Sequence, residues 1–565
     1  MKRCPQCRRD YADDTLLYCL EDGAALIQGA VPSPDEPQTA ILPGSPLPSE
    51  ARTAAQIHTT EQTAVLPSGM TDIPSAKGFD KRLILAPLVL AVIVAGGLFG
   101  YRYVTHAKQI NAIAVMPFVN DSGGADLDYL SDGMTETLIS GLSKMPTLNV
   151  KPRSVVFHYK GKEIDPTSVG ADLGVDAILN GRMVSHGDNL SLFVELIDVA
   201  STKVIWSQRY DRKQSDIATL QSEVARDVSG KINSGLTSAD ASKVARNPSE
   251  NAEAYRLCLL ANSLAARRKT NDLRTALDYY DRAIALDPNY ALAYVGIASS
   301  RVFMTIYGAE PGDVQLPKAR EAAAKAIEID PNLPEAHNIL GGVELYLNRD
   351  WAANERENAR ALEINPNFAN AYRHDGIRYA WNGEFDRAIA AFRHTLELDP
   401  MSVVAYTNLA WCYHFAGRLD ESEDAIKNAR QIDPSFWFIE YSSFRNARIK
   451  NDYAGAAEHL ARAQELRDEP DAAKFIRDEF AKGGWPGLER ACLSQPERSK
   501  VWDYYLATFA LELGDKERAF ALLDRAEKKY DQFIFFIKID HDMDPIRGDA
   551  RYAQLLKKLG FPDAQ

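Results

Sequence analysis

The stretch ELDPMSVVAYTNLAWCYHFAGRLDESEDAIKNARQIDP, residues 397–434, decides the fold of the C-terminal part of this chain. It begins and ends with an Asp-Pro pair, and each pair predicts the end of a helix because proline disfavours helical conformation in the residue before it. Between the pairs, Ala410 is a small residue where two helices can cross closely, and Gly417 predicts the turn that joins them. The stretch therefore predicts one repeat of two antiparallel helices.

The same unit recurs along the chain at a nearly constant spacing. Its helix-ending prolines are Pro288, Pro331, Pro366, Pro400 and Pro434, at intervals of 43, 35, 34 and 34 residues. A 34-residue period with Asp-Pro or Asn-Pro at the helix end is typical of tetratricopeptide repeats (TPR), and the longer first interval fits an insertion around residues 305–316. We predict an all-α TPR solenoid over residues 250–437 and a degenerate TPR-like helical region over residues 438–565.

The repeats predict a concave groove lined by the first helix of each pair. The repeat register places six side chains on that face: Asn338, Asn370, Arg373, Thr407, Trp411 and His414. Amides and an arginine can hold the backbone of an extended peptide, and a tryptophan can anchor it, so we expect proteins or peptides as partners. Packing between neighbouring helices remains an alternative for each residue. The basic carboxylate clamp of chaperone-binding repeats is absent, which disfavours partners with a chaperone-type acidic tail.

A different pattern precedes the repeats. Residues 112–119, AIAVMPFV, are typical of a buried strand, and apolar residues then recur at helical spacing to Met145. Residues 190–196 alternate as in a half-buried strand, and HGDN before them is a hairpin signal. Strand, helix and meander together predict a compact α/β domain.

The segment that begins IAVMPFVNDSGGADLDYLSDGM and ends KVIWSQRYDR resembles the FlgO/TolB-N-like domain over residues 109–236. The resemblance implies a bacterial domain that sits beside a membrane anchor and ahead of TPR repeats, without agreed catalytic residues. The NDSGG turn lacks the lysine and hydroxyl of a P-loop, and the chain contains no HExxH, GxSxG or kinase motif. We therefore expect no enzymatic activity.

An apolar segment lies before this domain. Residues 83–100 contain no charged side chain and reach roughly 27 Å as a helix, which predicts a transmembrane helix over residues 83–103. Residues 29–80, rich in Pro, Ser and Thr, predict a disordered linker. A slight excess of basic residues before the span favours a cytoplasmic N-terminus. The expected localisation is single-pass in the bacterial inner (cytoplasmic) membrane, with periplasmic C-terminal domains.

The N-terminal segment MKRCPQCRRDYADDTLLYCLEDG resembles a zinc ribbon over residues 1–28. Cys4, Cys7 and Cys19 would supply three thiolates, and Asp22 occupies the position of the fourth ligand. Zinc accepts carboxylates as well as thiolates, so the segment predicts a bound Zn²⁺. A degenerate ribbon that has lost its metal and a redox Cys pair both remain open.

The predicted architecture is multidomain: a zinc-ribbon-like knuckle, one transmembrane helix, an α/β domain and an all-α TPR solenoid. A net charge of -13 argues against nucleic-acid binding, except through the basic residues within 1–28. The expected function is a membrane-anchored, non-catalytic scaffold for protein-protein interaction in the bacterial envelope. The alternative is a signalling or transcriptional regulator of CadC-like layout, with the zinc knuckle as its cytoplasmic output.

Overall fold

The computed structural model describes residues 110–562 apart from positions 124, 146–147, 163–164, 233–248, 250 and 309, and also residues 2–3, 10–11 and 27–28. The chain divides into two compact units, residues 1–94 and 95–565. In the first, the strands β1 (Lys2–Arg3), β2 (Asp10–Tyr11) and β3 (Ile27–Gln28) pair antiparallel in the order β2-β1-β3.

Three N-terminal predictions fall outside the described residues. These are the zinc ligands Cys4, Cys7, Cys19 and Asp22, the linker at 29–80 and the apolar span at 83–103. Zinc binding therefore stays a prediction.

The second unit begins with a six-stranded sheet covered by helices. Its strands are β4 (Ala112–Val115), β5 (Val119–Asn120), β6 (Asn149–Val150), β7 (Ala177–His186), β8 (Asn189–Asp198) and β9 (Lys203–Lys213). Its helices are α1 (Ala125–Leu142), α2 (Arg153–Val156), α3 (Pro166–Leu173) and α4 (Ile217–Ile232). Short 3-10 turns occupy Phe157–Tyr159 and Gln214–Asp216.

The sheet combines parallel and antiparallel pairing in the order β6-β4-β7-β8-β9, with β5 beside β7. β4 runs parallel to β6 and β7, whereas β7, β8 and β9 form an antiparallel meander. Alternate residues of β8 point to one face, because successive side chains of a strand point to opposite faces. Leu190, Leu192, Val194 and Leu196 are accordingly fully buried. α1 packs against β4 and β5, and α4 packs against β9.

Six helix pairs follow and form the TPR solenoid. The pairs are α5 (Ala252–Ala265) and α6 (Thr270–Leu286), α7 (Ala291–Ile306) and α8 (Gly312–Ile329), α9 (Pro334–Asn348) and α10 (Trp351–Ile364), α11 (Ala369–Trp381) and α12 (Phe385–Leu398), α13 (Val403–Phe415) and α14 (Leu419–Ile432), and α15 (Phe438–Ile449) and α16 (Tyr453–Leu466).

The repeat prolines and glycines act where the sequence predicts. α6, α8, α10, α12 and α14 each end at the Asp or Asn before a repeat proline, with φ between -144° and -136°. Gly383 and Gly417 form the turns inside two pairs with φ of 85° and 74°, a region that glycine adopts without steric cost. An all-helical TPR region following a small sheet domain is therefore confirmed.

The C-terminal region continues with shorter elements. They are α17 (Pro470–Ser494), α18 (Pro496–Ser499), α19 (Asp503–Glu512), α20 (Lys516–Lys528), two 3-10 segments at Gln532–Lys538 and His541–Ile546, and α21 (Ala550–Lys558). α17 is kinked at Gly484, where φ is 60°.

The expected localisation in the bacterial inner membrane is contradicted by the helices that the structure describes. A membrane span needs about 18 or more residues with few or no charges. Within the described ranges, no helix combines that length with sufficient apolar character. The longest helices, α1, α8 and α17, all carry several charged side chains because they pack with one face toward solvent.

The sheet domain and the solenoid share one hydrophobic core, because α1 packs directly on α5. A Cβ atom added at Gly133 of α1 would lie 2.7 Å from Leu259 Cδ2 of α5, so glycine permits this close approach. Arg256 Nη1 donates a hydrogen bond to Tyr129 Oη at 3.1 Å across the same contact. The first helix of the solenoid therefore packs directly on a helix of the sheet domain.

Candidate binding cavity

The C-terminal 3-10 segment Gln532–Lys538 packs against the concave side of the solenoid. Its five apolar residues, Phe533, Ile534, Phe535, Phe536 and Ile537, are all buried. Phe535 stacks on Trp381 of α11 at 4.5 Å between ring centroids, and Phe536 lies 4.9 Å from Trp411 of α13. Both partners come from first helices of their pairs. The segment therefore fills part of the groove that the repeats predict.

Charged and polar contacts fix the residues that follow this segment. Arg445 of α15 pairs with Asp540 at 2.8 Å, and both side chains are buried. Trp351 Nε1 donates to the carbonyl oxygen of Leu559 at 3.0 Å. Burial of a large apolar side chain stabilises a protein by about 1.5–3 kcal/mol, so five such side chains make the segment an integral part of the fold.

A cavity of about 580 Å³ remains open beside the segment. Its walls come from α7, α9, α11 and α13, and Gln532, Phe533 and Phe536 border it on the C-terminal side. Ser154 of α2 reaches its rim and donates a hydrogen bond to Asp399. The volume falls within the range usual for small-ligand sites.

Two arginines from distant parts of the chain line this cavity. Arg373 lies on α11, and its one hydrogen bond within the described residues runs from Nε to Asn370 Oδ1 at 3.3 Å. Arg268 lies in the turn after α5, 5.0 Å from the Phe303 ring, and donates to Tyr307 Oη at 3.4 Å. None of the described carboxylates forms an ion pair with either side chain.

Burial and the positive charge of Arg268 lower the pKa of Arg373 to about 10. Both effects disfavour a charged guanidinium at this position, and a carboxylate or phosphate placed beside it would offset them. The two arginines therefore create a partly desolvated positive site.

The backbone at Arg268 is also unusual. Arg268 has a φ of 55°, whereas the equivalent turns in other pairs use Gly308, Gly383 and Gly417. A residue other than glycine in this left-handed region costs about 1 kcal/mol. Arg349 occupies the same turn position in the third pair, with a φ of 57°.

Arg349 shows what an arginine does at this turn position. Its Nη1 donates to the Tyr346 carbonyl at 2.6 Å, and its guanidinium lies 3.7 Å from the Glu527 carboxylate. At this turn position, Arg349 is therefore paired with a carboxylate. Arg268, at the equivalent position, lines the cavity and forms no ion pair with a described carboxylate.

The cavity is also lined by two carboxyl groups whose surroundings favour the neutral form. Burial raises the pKa of Glu335, partly offset by Lys144, and raises the pKa of Asp399, partly offset by the hydrogen bond from Ser154. Burial and the charge of Arg373 hold the pKa of His374 well below its usual range, so the neutral ring accepts a hydrogen bond from Asn338 at 3.0 Å. Arg268 and Arg373 are thus the cationic side chains among the residues that line the cavity.

The structure brings five of the six predicted groove residues to this cavity: Asn338, Asn370, Arg373, Thr407 and Trp411. These five side chains differ in exposure and in whether they are already hydrogen-bonded. Asn370 is exposed, whereas Asn338 also donates to Asn358 at 2.7 Å and Thr407 donates to the Val404 carbonyl at 2.9 Å. Trp411 packs on Phe536. Asn338 and Trp411 therefore act mainly between helices, and the hydroxyl of Thr407 bonds within its own helix α13.

His414 does not line the cavity. It is buried one turn further along α13, where Nδ1 lies 2.8 Å from Asn446 Oδ1, and burial lowers its pKa to about 3. His414 does lie on the first helix of its pair, as the sequence predicts, but its ring faces α15 of the next pair. Of the cavity residues that the sequence did not indicate, Arg268 is the most important. The sequence could have indicated it, because Arg268 stands at a turn position where three other pairs have glycine.

Two family sequence models match parts of the chain. Residues 108–227 match the family described as HilA/YgeH-like transcriptional regulator, second domain, and residues 382–446 match a tetratricopeptide repeat family. The first match covers the sheet domain, for which the sequence resembles the FlgO/TolB-N-like domain. The family comparison therefore matches this domain to HilA/YgeH-like regulators and does not show the FlgO/TolB-N-like family.

Curated relatives match longer stretches at low identity. "Putative adenylate cyclase 3" of Rhizobium meliloti (strain 1021) is 30% identical over 234 residues, which cover 40% of this chain and 39% of the relative. Transcriptional regulator HilA of Salmonella typhimurium (strain LT2) is 22% identical over 327 residues, or 55% of each protein. The chain thus spans less than two thirds of either relative.

Solved structures match about a third of the chain. YrrB, described as a TPR protein with an unusual peptide-binding site, is 25% identical and covers 34% of this chain and 91% of its own, with a TM-score of 0.23. PilW, described as a type IV pilus biogenesis factor, is 23% identical. The match covers 38% of this chain and 92% of PilW, with a TM-score of 0.30.

Proposed function

We propose that this chain is a non-catalytic scaffold for protein-protein interaction that holds a short segment of a partner in the cavity on the concave face. The observation that supports this most directly is that four first helices direct side chains into one space that the C-terminal segment leaves open. TPR repeats typically act as interaction scaffolds, and the exposed amide of Asn370 beside aromatic side chains suits a peptide.

The occupant is expected to be short. The C-terminal segment already contacts α11, α13 and α15 through Trp381, Trp411 and Phe438, so a long peptide cannot run the full length of the groove. The free part lies between α7 and α13. This distinguishes the site from an open groove of the kind that the sequence predicts.

Site-specific photocrosslinking tests the proposal. A benzophenone amino acid at Asn370, which is exposed in the cavity, should yield a protein adduct in the organism that produces the chain. The same amino acid at Arg356, exposed on the second helix α10, is the matched control. Adducts common to both positions, or none at position 370, would contradict the proposal.

A second candidate is transcriptional regulation, supported by the match of residues 108–227 to the second domain of HilA/YgeH-like regulators. On this proposal the TPR region receives a protein signal, and the basic N-terminal residues contribute DNA contacts. Chromatin immunoprecipitation of the full chain should then enrich particular promoters, and removal of residues 1–28 should abolish the enrichment. Equal enrichment after that deletion would exclude a DNA-binding role for the segment.

A further inference from the structure

The two cavity arginines carry an inference about what the cavity binds, which rests on the function proposed above. Arg268 and Arg373 are 105 positions apart in the chain, and the fold of the solenoid places both at the same cavity. Charged groups that are partly withdrawn from water are normally paired, whereas these two half-buried side chains form no ion pair with a described carboxylate.

We infer that the occupant of the cavity carries a carboxylate, which binds between Arg268 and Arg373 while an adjacent aromatic or aliphatic group packs against Phe303, Tyr307 and Tyr346. Guanidinium groups bind planar carboxylates through paired N–H donors. The described hydrogen bonds use only Nε of Arg373 and Nη1 of Arg268, so further nitrogens of both groups are available to a ligand. Tyr307 stacks on Phe303 at 5.8 Å with an interplanar angle of 6°, which presents a flat apolar wall beside the positive charges.

The alternative, that the arginines serve only the fold, fits less well. Arg349, in the equivalent turn, is paired with Glu527 and covers the rings of Tyr530 and Phe535. Arg268 adopts the same costly backbone conformation and also lies over a ring, that of Phe303, but it has no ion pair with a described carboxylate. Glycine in that turn would remove the backbone cost.

Matched small probes test the inference on the purified full chain. N-acetylphenylalanine carries the carboxylate, and N-acetylphenylalaninamide has nearly the same shape without the charge. Isothermal titration should show at least about tenfold tighter binding of the acid, because hydrogen bonds to charged groups are the stronger ones. Equal affinities, or no binding of the acid, would overturn the inference.

A third probe and three variants complete the test. Binding of 3-phenylpropanoate as tight as that of N-acetylphenylalanine would assign the site to a free organic acid, and weaker binding to a peptide carboxylate. Arg268→Gln and Arg373→Gln should each weaken acid binding at least about tenfold. Arg356→Gln, on the exposed face of α10, should leave it unchanged, and circular dichroism checks that all variants fold.

The photocrosslinking experiment separates this inference from the proposed function. If the adduct at position 370 persists undiminished in the double variant Arg268→Gln, Arg373→Gln, carboxylate recognition is wrong while protein binding stands. If the adduct is absent from the otherwise unmodified chain, the proposed function itself fails. Loss of the adduct in the double variant alone supports both.

Discussion

Glu489 on α17 and Glu512 on α19 share a buried site beside Arg448. Arg448 Nη2 binds Glu512 Oε1 at 2.7 Å, and Trp485 Nε1 donates to Glu512 Oε2 at 3.0 Å. Glu512 is therefore the charged member of the pair. Glu489 is 2% exposed, and burial together with the neighbouring Glu512 raises its pKa.

The raised pKa makes stability depend on pH in a defined direction. Folded Glu489 keeps its proton above the ordinary glutamate pKa of 4.5, whereas the unfolded chain loses it there. This contribution to stability is fully present below about pH 4.5 and is lost as the pH rises through the raised pKa. We expect Glu489→Gln, which stays neutral, to reduce the fall in unfolding free energy between pH 5 and pH 8. Urea unfolding at both pH values measures this.

The control for that experiment is Glu497→Gln. Glu497 is highly exposed, and its distance to Lys500 is 3.9 Å. Exposed ion pairs contribute little to stability, so this variant should keep the pH dependence of the original chain. An unchanged pH dependence in Glu489→Gln as well would show that Glu489 is ionised when buried.

The two helices of a repeat cross closely at a glycine. In α11, a Cβ atom on Gly376 would lie 2.7 Å from Phe392 Cε1 of α12, and that ring is fully buried. Gly376→Ala should therefore destabilise the chain by about 1–3 kcal/mol through overpacking. Urea unfolding followed by circular dichroism measures the change.

Gly342 in α9 provides the contrasting variant. A Cβ atom there would be 3.8 Å from the nearest heavy atom, His374 Cε1, which is an ordinary contact. Because alanine favours a helix over glycine by about 1 kcal/mol, Gly342→Ala should be neutral or stabilising. Destabilisation of both variants to the same extent would mean that space at the crossing does not explain the choice of glycine.

The C-terminal 3-10 segment is the element that most changes the groove. Phe535 is fully buried among Trp381, Tyr346 and Trp351. Phe535→Ala should destabilise the chain by about 3–5 kcal/mol, the usual cost of truncating a buried aromatic residue. Val204→Ala, at a 51% exposed position, should change stability by less than about 0.5 kcal/mol. A small effect at Phe535 in equilibrium unfolding would show that the segment detaches from the groove.

At the scale of the whole molecule, the sheet domain and the solenoid depend on each other. Tyr255 and Leu259 of α5 are buried in the core that both parts share, and Tyr255 Oη donates to Gln221 of α4. Deletion of residues 110–232 should expose this face and lower the midpoint of thermal unfolding of the solenoid. Calorimetry of the full and shortened chains measures the effect. An unchanged midpoint would mean that the two parts are stable independently.

The repeats could be predicted because their determinants are local. An Asp-Pro pair ends a helix and a glycine permits a left-handed turn wherever they stand, so Pro400 and Gly417 act as the sequence indicates. The repeat register then placed five groove residues on one cavity. The sixth, His414, lies outside the cavity because its ring meets Asn446 of the next pair.

The sequence by itself determined the helical pairs, the sheet domain ahead of them and the face of each first helix, because these follow from short-range periodicity and from turn residues. Only the tertiary structure decided that residues 532–538 fill part of the groove and that Arg268 joins Arg373 in the part left open. Both depend on how successive pairs rotate relative to one another. That rotation is the sum of many small packing contacts between neighbours, and no local pattern of residues encodes it.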